Sequence, residues 1–415
     1  MKGKWIVACL AVVLCLLPIV ISEPISEQEA NLKEMESIKE RYEHHVLDMA
    51  EKGMLEGQPF HLSGLSIEDV INEWGEPSES LFEDGSFYAS YPRRHIVIGY
   101  NRAGVFELRS EHPELQQLSG ALILSELGPP AEIRQTKRHR QYIYRAGEYE
   151  WTILIDQEDD HILHQAVYNS IQKDRGEYLL EIKGDSSSLM ESARIQMDKW
   201  RKEIRPFIEK HPFSISANGE NLKQVALTFD DGPDERVTEE IIDILREYDV
   251  PGNFFFLGSQ AALYPRIVQK AYLDGHLIAS HSDEHLDLTT LTEEQMQAQI
   301  DRSSRQIESI IGKYPNFFRP PYGEINAKLL NILSNEGKHT VLWSIDTLDW
   351  SVHTAAEVTE NVKRYVRNGD IILMHSNAEQ AITAQALREI LDYLINRDFE
   401  IVKLDEMLNR EAYEK

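Results

Sequence analysis

From Gln224 to the C terminus, short continuous apolar runs alternate with amphipathic stretches. Residues 225–229, 253–257, 277–280, 339–345, 371–374 and 399–402 read as strands. Between them, apolar positions three and four apart predict helices over 237–248, 263–273, 292–311, 355–367 and 381–396. Strands that are apolar throughout are covered on both faces, and strand–helix alternation makes a parallel sheet. Roughly six or seven such units in so short a stretch suit a distorted or incomplete (β/α) barrel better than an open doubly wound sheet. No Gly-x-Gly-x-x-Gly follows a strand, which argues against dinucleotide binding.

Residues 60–170 have another rhythm. A helix-like run over 66–74 ends at Gly75 and Pro77, and strand-like runs follow at 87–91, 95–100 and 105–109. The pattern then returns. Glu73, Gly75, Pro77 and Glu79 match Glu126, Gly128, Pro130 and Glu132, and strand-like runs at 141–144 and 150–155 come after. This is an internal repeat of about 53 residues. Gly ends each helix and Pro prevents its resumption. The segment is expected to be a smaller α+β accessory domain. Two further helices are expected. One, over 25–56, is rich in Glu, Lys and Met and reads as an exposed stalk. The other, over 186–212, connects the modules, with Leu189, Ala193, Met197, Trp200, Ile204, Phe207 and Ile208 on one face.

Composition narrows the setting. The chain has 415 residues and a net charge of −27, a poor match to the basic surfaces that neutralise nucleic-acid phosphates. Its two cysteines, Cys9 and Cys15, both lie in the apolar run over 5–21, behind Lys2 and Lys4. Residues 1–22 therefore read as a secretory signal peptide or a membrane anchor. The expected location is secreted, or tethered through residues 5–21 to the outer face of the cell membrane. Once that segment is set aside no cysteine remains, so stability must come from packing or metal rather than disulfides.

Polar residues of the C-terminal region gather just past strand ends, where a β/α barrel builds its active site. Asp230 and Asp231 are adjacent, so they point in different directions and can take different jobs. His281 and His285, at i and i+4, fall on one side of a helical turn and suit a single metal ion. Arg319 sits in a loop stiffened by Pro320 and Pro321, ahead of Tyr322 and Gly323, and can hold a carboxylate in a bidentate pair. Asp346 and Asp349-Trp350 follow one strand, and Leu373-Met374-His375 ends another. A histidine paired with Asp349 would be a general acid with a raised pKa. Each of these is common alone. Five in order at five strand ends are not.

Thr-Phe-Asp-Asp-Gly-Pro, His-Ser-x-x-His, Arg-Pro-Pro-Tyr-Gly, Asp-x-x-Asp-Trp and Leu-x-His, in this order, resemble the five motifs of the polysaccharide deacetylase family with the NodB-type domain. The resemblance covers residues 224–409, within a catalytic domain expected over 222–410. It implies a distorted β/α barrel and metal-dependent removal of N-acetyl groups from sugars. It also implies Asp231, His281 and His285 as metal ligands, Asp230 as base and Arg319 as its holder. His375 would be the acid, steadied by Asp349. The Tyr322 N–H would hold the oxyanion, with Pro321, Trp350 and Leu373 around the acetyl pocket. The ligand types favour zinc, with cobalt or nickel able to substitute. Ser376 departs from the Asp that many members carry after the acid histidine, and Ser351-Val352-His353 departs at the rim. The tract from Gly85 to Ser110 resembles an accessory domain of secreted Gram-positive proteins. The expected substrate is an acetylated cell-surface polysaccharide of N-acetylglucosamine or N-acetylmuramic acid, peptidoglycan first. An O-acetyl esterase on xylan-type glycans and a non-catalytic glycan-binding protein are the competing expectations.

Overall fold

A computed structural model describes residues 45–83 and 85–414. The signal or anchor expected over 1–22 lies outside the described residues, as does the 25–44 part of the expected stalk. The remainder of that stalk contains the short helix α1 (Val46–Glu51), which buries Val46 and Ala50 and so is not exposed all round.

The repeat is visible element by element. Its first copy is helix α2 (Ile67–Trp74) followed by the antiparallel strands β1 (Glu79–Glu83), β2 (Ser86–Tyr91), β3 (Ile96–Asn101) and β4 (Gly104–Ser110). Its second copy is helix α3 (Gly120–Leu127) followed by β5 (Glu132–Gln135), β6 (His139–Ala146), β7 (Tyr149–Asp156) and β8 (Ile162–Tyr168). In both copies a positive-φ glycine, Gly75 or Gly128, ends the helix. A tyrosine sixteen residues on closes the turn: Tyr91 Oη donates to the Gly75 carbonyl at 3.1 Å, and Tyr144 Oη to the Gly128 carbonyl at 2.9 Å. The described chain divides into two compact units. One holds Phe60–Ser110 and Tyr168–Lys415, the other Glu111–Val167 with the residues up to Pro59.

The larger unit continues through helices α4 (Ser170–Glu177) and α5 (Glu191–Lys210) and the two-residue strand β9 (Ile215–Ser216). Then come β10 (Gln224–Asp230), α6 (Val237–Glu247), β11 (Asn253–Phe256), α7 (Gly258–Leu263), α8 (Pro265–Leu273) and β12 (Leu277–Ser280). Next are α9 (Glu293–Ile311), β13 (Phe317–Phe318), α10 (Ala327–Asn335), β14 (His339–Val341), β15 (Ile345–Asp346) and α11 (Ala355–Tyr365). The chain closes with β16 (Asp370–His375), α12 (Ala381–Asn396), β17 (Glu400–Ile401) and α13 (Leu404–Met407). The strands form one parallel sheet in the order β15-β16-β10-β11-β12-β13-β14-β9, with β17 beside the start of β10. Outside the sheet, α6, α11 and α12 cover Val225, Leu227, Phe229 and Ile372; inside it, Ala226, Phe255, Ala279, Phe317 and Ile371 pack together. This is the distorted, incomplete barrel that the alternation predicts.

The run 339–345, expected as one strand, is two. β14 lies between β13 and the edge strand β9 at one side of the sheet, and β15 pairs with β16 at the other edge. Leu342, Trp343 and Ser344 cross between the edges, so a chain crossing replaces a ladder at the seam. Helix α5 belongs to the same seam. Lys183, ahead of it, bridges Ile345 on one lip, and β9, behind it, pairs with β14 on the other. Ile204 and Ile208 of α5 enter the inner core, and Trp200 stacks on Trp343 with centroids 5.3 Å apart. The boundary at 222 expected from the motifs therefore falls inside this core, because α5 and β9 bury apolar surface that the later strands need.

Candidate active site

The site stands at the C-terminal ends of β10, β12, β13, β15 and β16. β10 delivers Asp230, buried at 3% exposure, and the chain then turns through Asp231 at φ 69°. Arg319, fully buried just past β13, holds Asp230: Nη1 donates to Oδ1 at 2.7 Å and to Thr228 Oγ1 at 2.9 Å. The pair is monodentate rather than bidentate. The other guanidinium donors are taken by the seam, Nε by the Val341 carbonyl and Nη2 by the Leu342 carbonyl, both at 3.0 Å. The guanidinium also lies 4.1 Å from the Phe255 ring centroid. Burial lowers the Arg319 pKa and Asp230 opposes that, so the cation is held by its partners.

His281 and His285 are brought together, but by a loop and not by a helical turn. Ser282 and His285 have φ of 68° and 57°. The loop is pinned to α9, where Gln299 Oε1 accepts from the Asp283 and Glu284 N–H groups at 3.2 and 2.9 Å. Ser282 Oγ accepts from the His285 N–H at 3.1 Å. His281 Nδ1 is 2.7 Å from the Arg319 carbonyl, an acceptor, which fixes the proton on Nδ1 and frees Nε2. That Nε2 is 3.5 Å from Asp231 Oδ1, and His285 Nε2 is 3.3 Å from the same oxygen. Burial, reinforced by His281, pushes the His285 pKa down to about 4, which keeps its ring neutral and able to ligate.

Donor atoms of Asp231, His281 and His285 all lie within 4.8 Å of one another. Asp231 Oδ1 is buried and has no hydrogen-bond partner, an expensive state for a carboxylate oxygen. Two free imidazole nitrogens around an orphaned carboxylate oxygen are a donor set that fits a divalent cation.

On the other side of Asp230, His375 ends β16. Its Nδ1 is 2.8 Å from Asp349 Oδ1, and its backbone N–H donates to Asp349 Oδ2 at 2.7 Å. Burial pushes the imidazole pKa down, but the Asp349 charge and hydrogen bond outweigh it and raise the value to about 10. Thr383 Oγ1, from α12, donates to Asp349 Oδ2 at 2.5 Å. Asp346 Oδ1 accepts from Trp350 Nε1 at 3.3 Å and from the Leu348 N–H at 2.9 Å, which sets the angle of the Trp350 ring.

A cleft of about 430 Å³ unites the set. It is lined by Asp230, Asp231, His281, His285, His375, Leu373, Trp350 and Tyr322, with Arg319 and Asp349 buried behind. Tyr322 has φ 62°, and its ring meets His285 edge-on at 4.6 Å. Pro321 does not reach the cleft. Pro320, the extended residue ahead of the short turn that Pro321 opens, lines the wall instead. Five of the ten non-glycine residues with positive φ among those described are Asp231, Ser282, His285, Tyr322 and Leu348. Backbone held in sparsely populated conformations is concentrated where functional groups must be aimed.

Several contributors escape a reading by motif. Asn377 Nδ2 donates to Asp231 Oδ2 at 3.3 Å. Ser376 N–H donates to the Asp230 carbonyl at 2.9 Å, and its Oγ lies 3.2 Å from the same oxygen. The Ser376 departure thus holds Asp230 from behind. Thr228, only two residues before Asp230, was discoverable as the inward β10 position of the same face. Thr383 carries no local signal, since it lies 34 residues from Asp349 in the chain.

Comparison with known proteins bears on the family. A family model described as polysaccharide deacetylase matches residues 217–341, and a domain of unknown function, DUF4309, matches residues 43–168. The chain is 34% identical over 203 residues to a peptidoglycan-N-acetylglucosamine deacetylase of Bacillus cereus, covering 48% of this chain and 74% of that protein. It is 32% identical over 198 residues to a chitooligosaccharide deacetylase of Azorhizobium caulinodans, covering 45% of this chain and 94% of that one. A crystal structure of a peptidoglycan N-acetylglucosamine deacetylase bound to a substituted benzamide aligns with a TM-score of 0.49 at 33% identity, over 50% of this chain and 99% of its own. With relatives of that identity matched over most of their length, the chain belongs to the polysaccharide deacetylase family, a family of hydrolytic deacetylases.

Proposed function

We propose that the protein removes N-acetyl groups from β-linked N-acetylglucosamine or N-acetylmuramic acid polymers outside the cytoplasm, with peptidoglycan as the leading substrate. The observation that carries this reading is the pairing of two differently supported groups across one cleft: Asp230 on Arg319, and His375 on Asp349. A glycan-binding protein has no use for both a held base and a held acid. The names of the relatives support the substrate class, and the apolar run over 5–21 supports an extracytoplasmic location.

Amide hydrolysis needs an activated water, a polarised carbonyl and a protonated leaving amine. Asp231, His281 and His285 would hold a divalent cation, with zinc favoured by the ligand types. Such a cation, when bound, supplies carbonyl polarisation and a lowered water pKa. Asp230, oriented by Arg319, accepts the proton of the attacking water. His375, charged through Asp349, gives its proton to the departing nitrogen. The Tyr322 N–H would donate to the developing oxyanion. Leu373 and Trp350 line the cleft as apolar surface for the acetyl methyl.

The test is release of acetate and free amine from soluble N-acetylglucosamine oligomers, before and after chelation and after zinc is restored. Activity lost to chelator and returned by metal supports the reading. Release of acetate from O-acetylated xylan alone supports the esterase. No release with retained glycan binding supports the binding protein.

A further inference from the structure

We infer that helix α5 forms a sugar-binding wall of the cleft, a subsite for a pyranose residue next to the one being deacetylated. This rests on the function proposed above. Ala193, Gln196, Met197 and Trp200 line the same cleft as Tyr322 and Trp350.

One face of α5 carries an apolar stripe. Positions 193, 197, 200, 204 and 208 follow helical spacing on one face. The lower part is spent on folding, since Ile204 and Ile208 are 5% exposed in the inner core and Trp200 stacks on Trp343. The upper part has no core to cover. Ala193 and Met197 continue the apolar face for two more turns, into open cleft instead of protein. Gln196 adds one polar group to that face, while Arg194, Asp198 and Lys199 are exposed. An apolar strip with one amide, in a cleft that also holds the exposed rings of Tyr322 and Trp350, suits an amphipathic pyranose: C–H faces against side-chain carbons and hydroxyls toward the amide.

The wall is anchored to the barrel. The helix is tied to both lips of the seam, through Lys183 and Ile345 on one side and β9 and β14 on the other. A Cβ on Gly323 would come within 2.7 Å of both Trp200 and Trp343, so the Arg-Pro-Pro-Tyr-Gly turn is fitted against the helix anchor. The strand-end residues thus act on the acetamide, and α5 reads the polymer around it.

Two measurements on the full-length chain test this. The first is kcat/KM on the β-1,4-linked N-acetylglucosamine dimer and tetramer, for the wild type, Met197→Ala, Ala193→Trp and Met197→Leu. The second is calorimetric binding of the tetramer in an Asp230→Asn background, with and without Met197→Ala. Loss of methylene-sized contacts at Met197 should weaken tetramer binding roughly fourfold for each. The tetramer-to-dimer ratio of kcat/KM should fall in Met197→Ala, fall further in Ala193→Trp, and return in Met197→Leu. Should Ala193→Trp fail to fold, the two Met197 variants decide alone. An unchanged ratio and unchanged tetramer affinity in an active, folded Met197→Ala overturns the subsite and leaves the catalytic reading intact. A wild type that binds tetramer through Met197 yet releases no acetate overturns the catalytic reading and leaves the subsite.

Discussion

The helix–meander repeat and the barrel use buried polar groups in opposite ways. In the repeat, Tyr91 and Tyr144 spend their hydroxyls on the backbone carbonyls of Gly75 and Gly128. Those bonds satisfy a turn. In the barrel, Arg319, Asp230, Asp349 and His375 bond to one another at strand ends, and both chains of contact stop at a cleft. Each copy of the repeat ends its helix at a positive-φ glycine, whereas the loops of the cleft turn at Asp231, His285 and Tyr322, which carry side chains. Buried polarity that closes on the backbone stabilises a fold. Buried polarity that ends at a cavity, on residues in unfavourable backbone conformations, marks chemistry.

The largest effect expected from breaking this contrast is at the ligands. His281→Ala or His285→Ala should lose bound metal and activity together, because two remaining ligands hold a divalent cation poorly. Metal analysis of the purified variants beside acetate release measures both; full metal occupancy in either variant would remove that histidine from the ligand set.

The next effect is in pH. His375 is held protonated up to about 10 by Asp349 against its own burial. The acid is therefore present through neutrality, and the alkaline limb of kcat/KM should lie above that of an ordinary imidazole near 6.5. In Asp349→Asn the charge is gone and burial dominates, so the limb should move to lower pH with metal still bound. A limb that stays put in Asp349→Asn, or survives in His375→Ala, assigns the proton to another group.

The smallest effect is in the repeat. Tyr144→Phe removes one part-buried hydrogen bond and leaves the Gly128 carbonyl unpaired by that hydroxyl. Denaturant melting should show about 1 kcal/mol lost, with kcat on soluble oligomers within experimental scatter of wild type. A large fall in kcat without a fall in stability would mean that the repeat takes part in catalysis.

What was legible in the sequence is what is local in it. Asp230-Asp231, His281 with His285, Arg319 with Tyr322, and Asp349 with Trp350 each sit within one turn or strand end, so spacing alone displays them. The 53-residue repeat was legible for the same reason, since its glycines and prolines punctuate the backbone directly. Two-residue strands such as β9 and β13 are too short to show a period. The seam was hidden because 339–345 reads as one strand-like run, and such a run does not say which edge of a sheet it pairs with. Thr383 reaches the site through tertiary structure, and no short-range pattern announces it. The helical turn expected at His281–His285 failed because Gln299, from α9, supplies the acceptor that holds the loop open.

The central claim is that adjacent carboxylates have separate jobs, Asp230 as base and Asp231 as ligand. The direct measurement is bound metal per chain together with kcat on one soluble acetylated oligosaccharide, for Asp230→Asn and Asp231→Asn side by side. Asp230→Asn should keep its metal and lose turnover by roughly 10²- to 10⁴-fold, the usual worth of a general base. Asp231→Asn should lose both. Near-normal turnover in metal-bound Asp230→Asn, or full metal in Asp231→Asn, would contradict the division of labour.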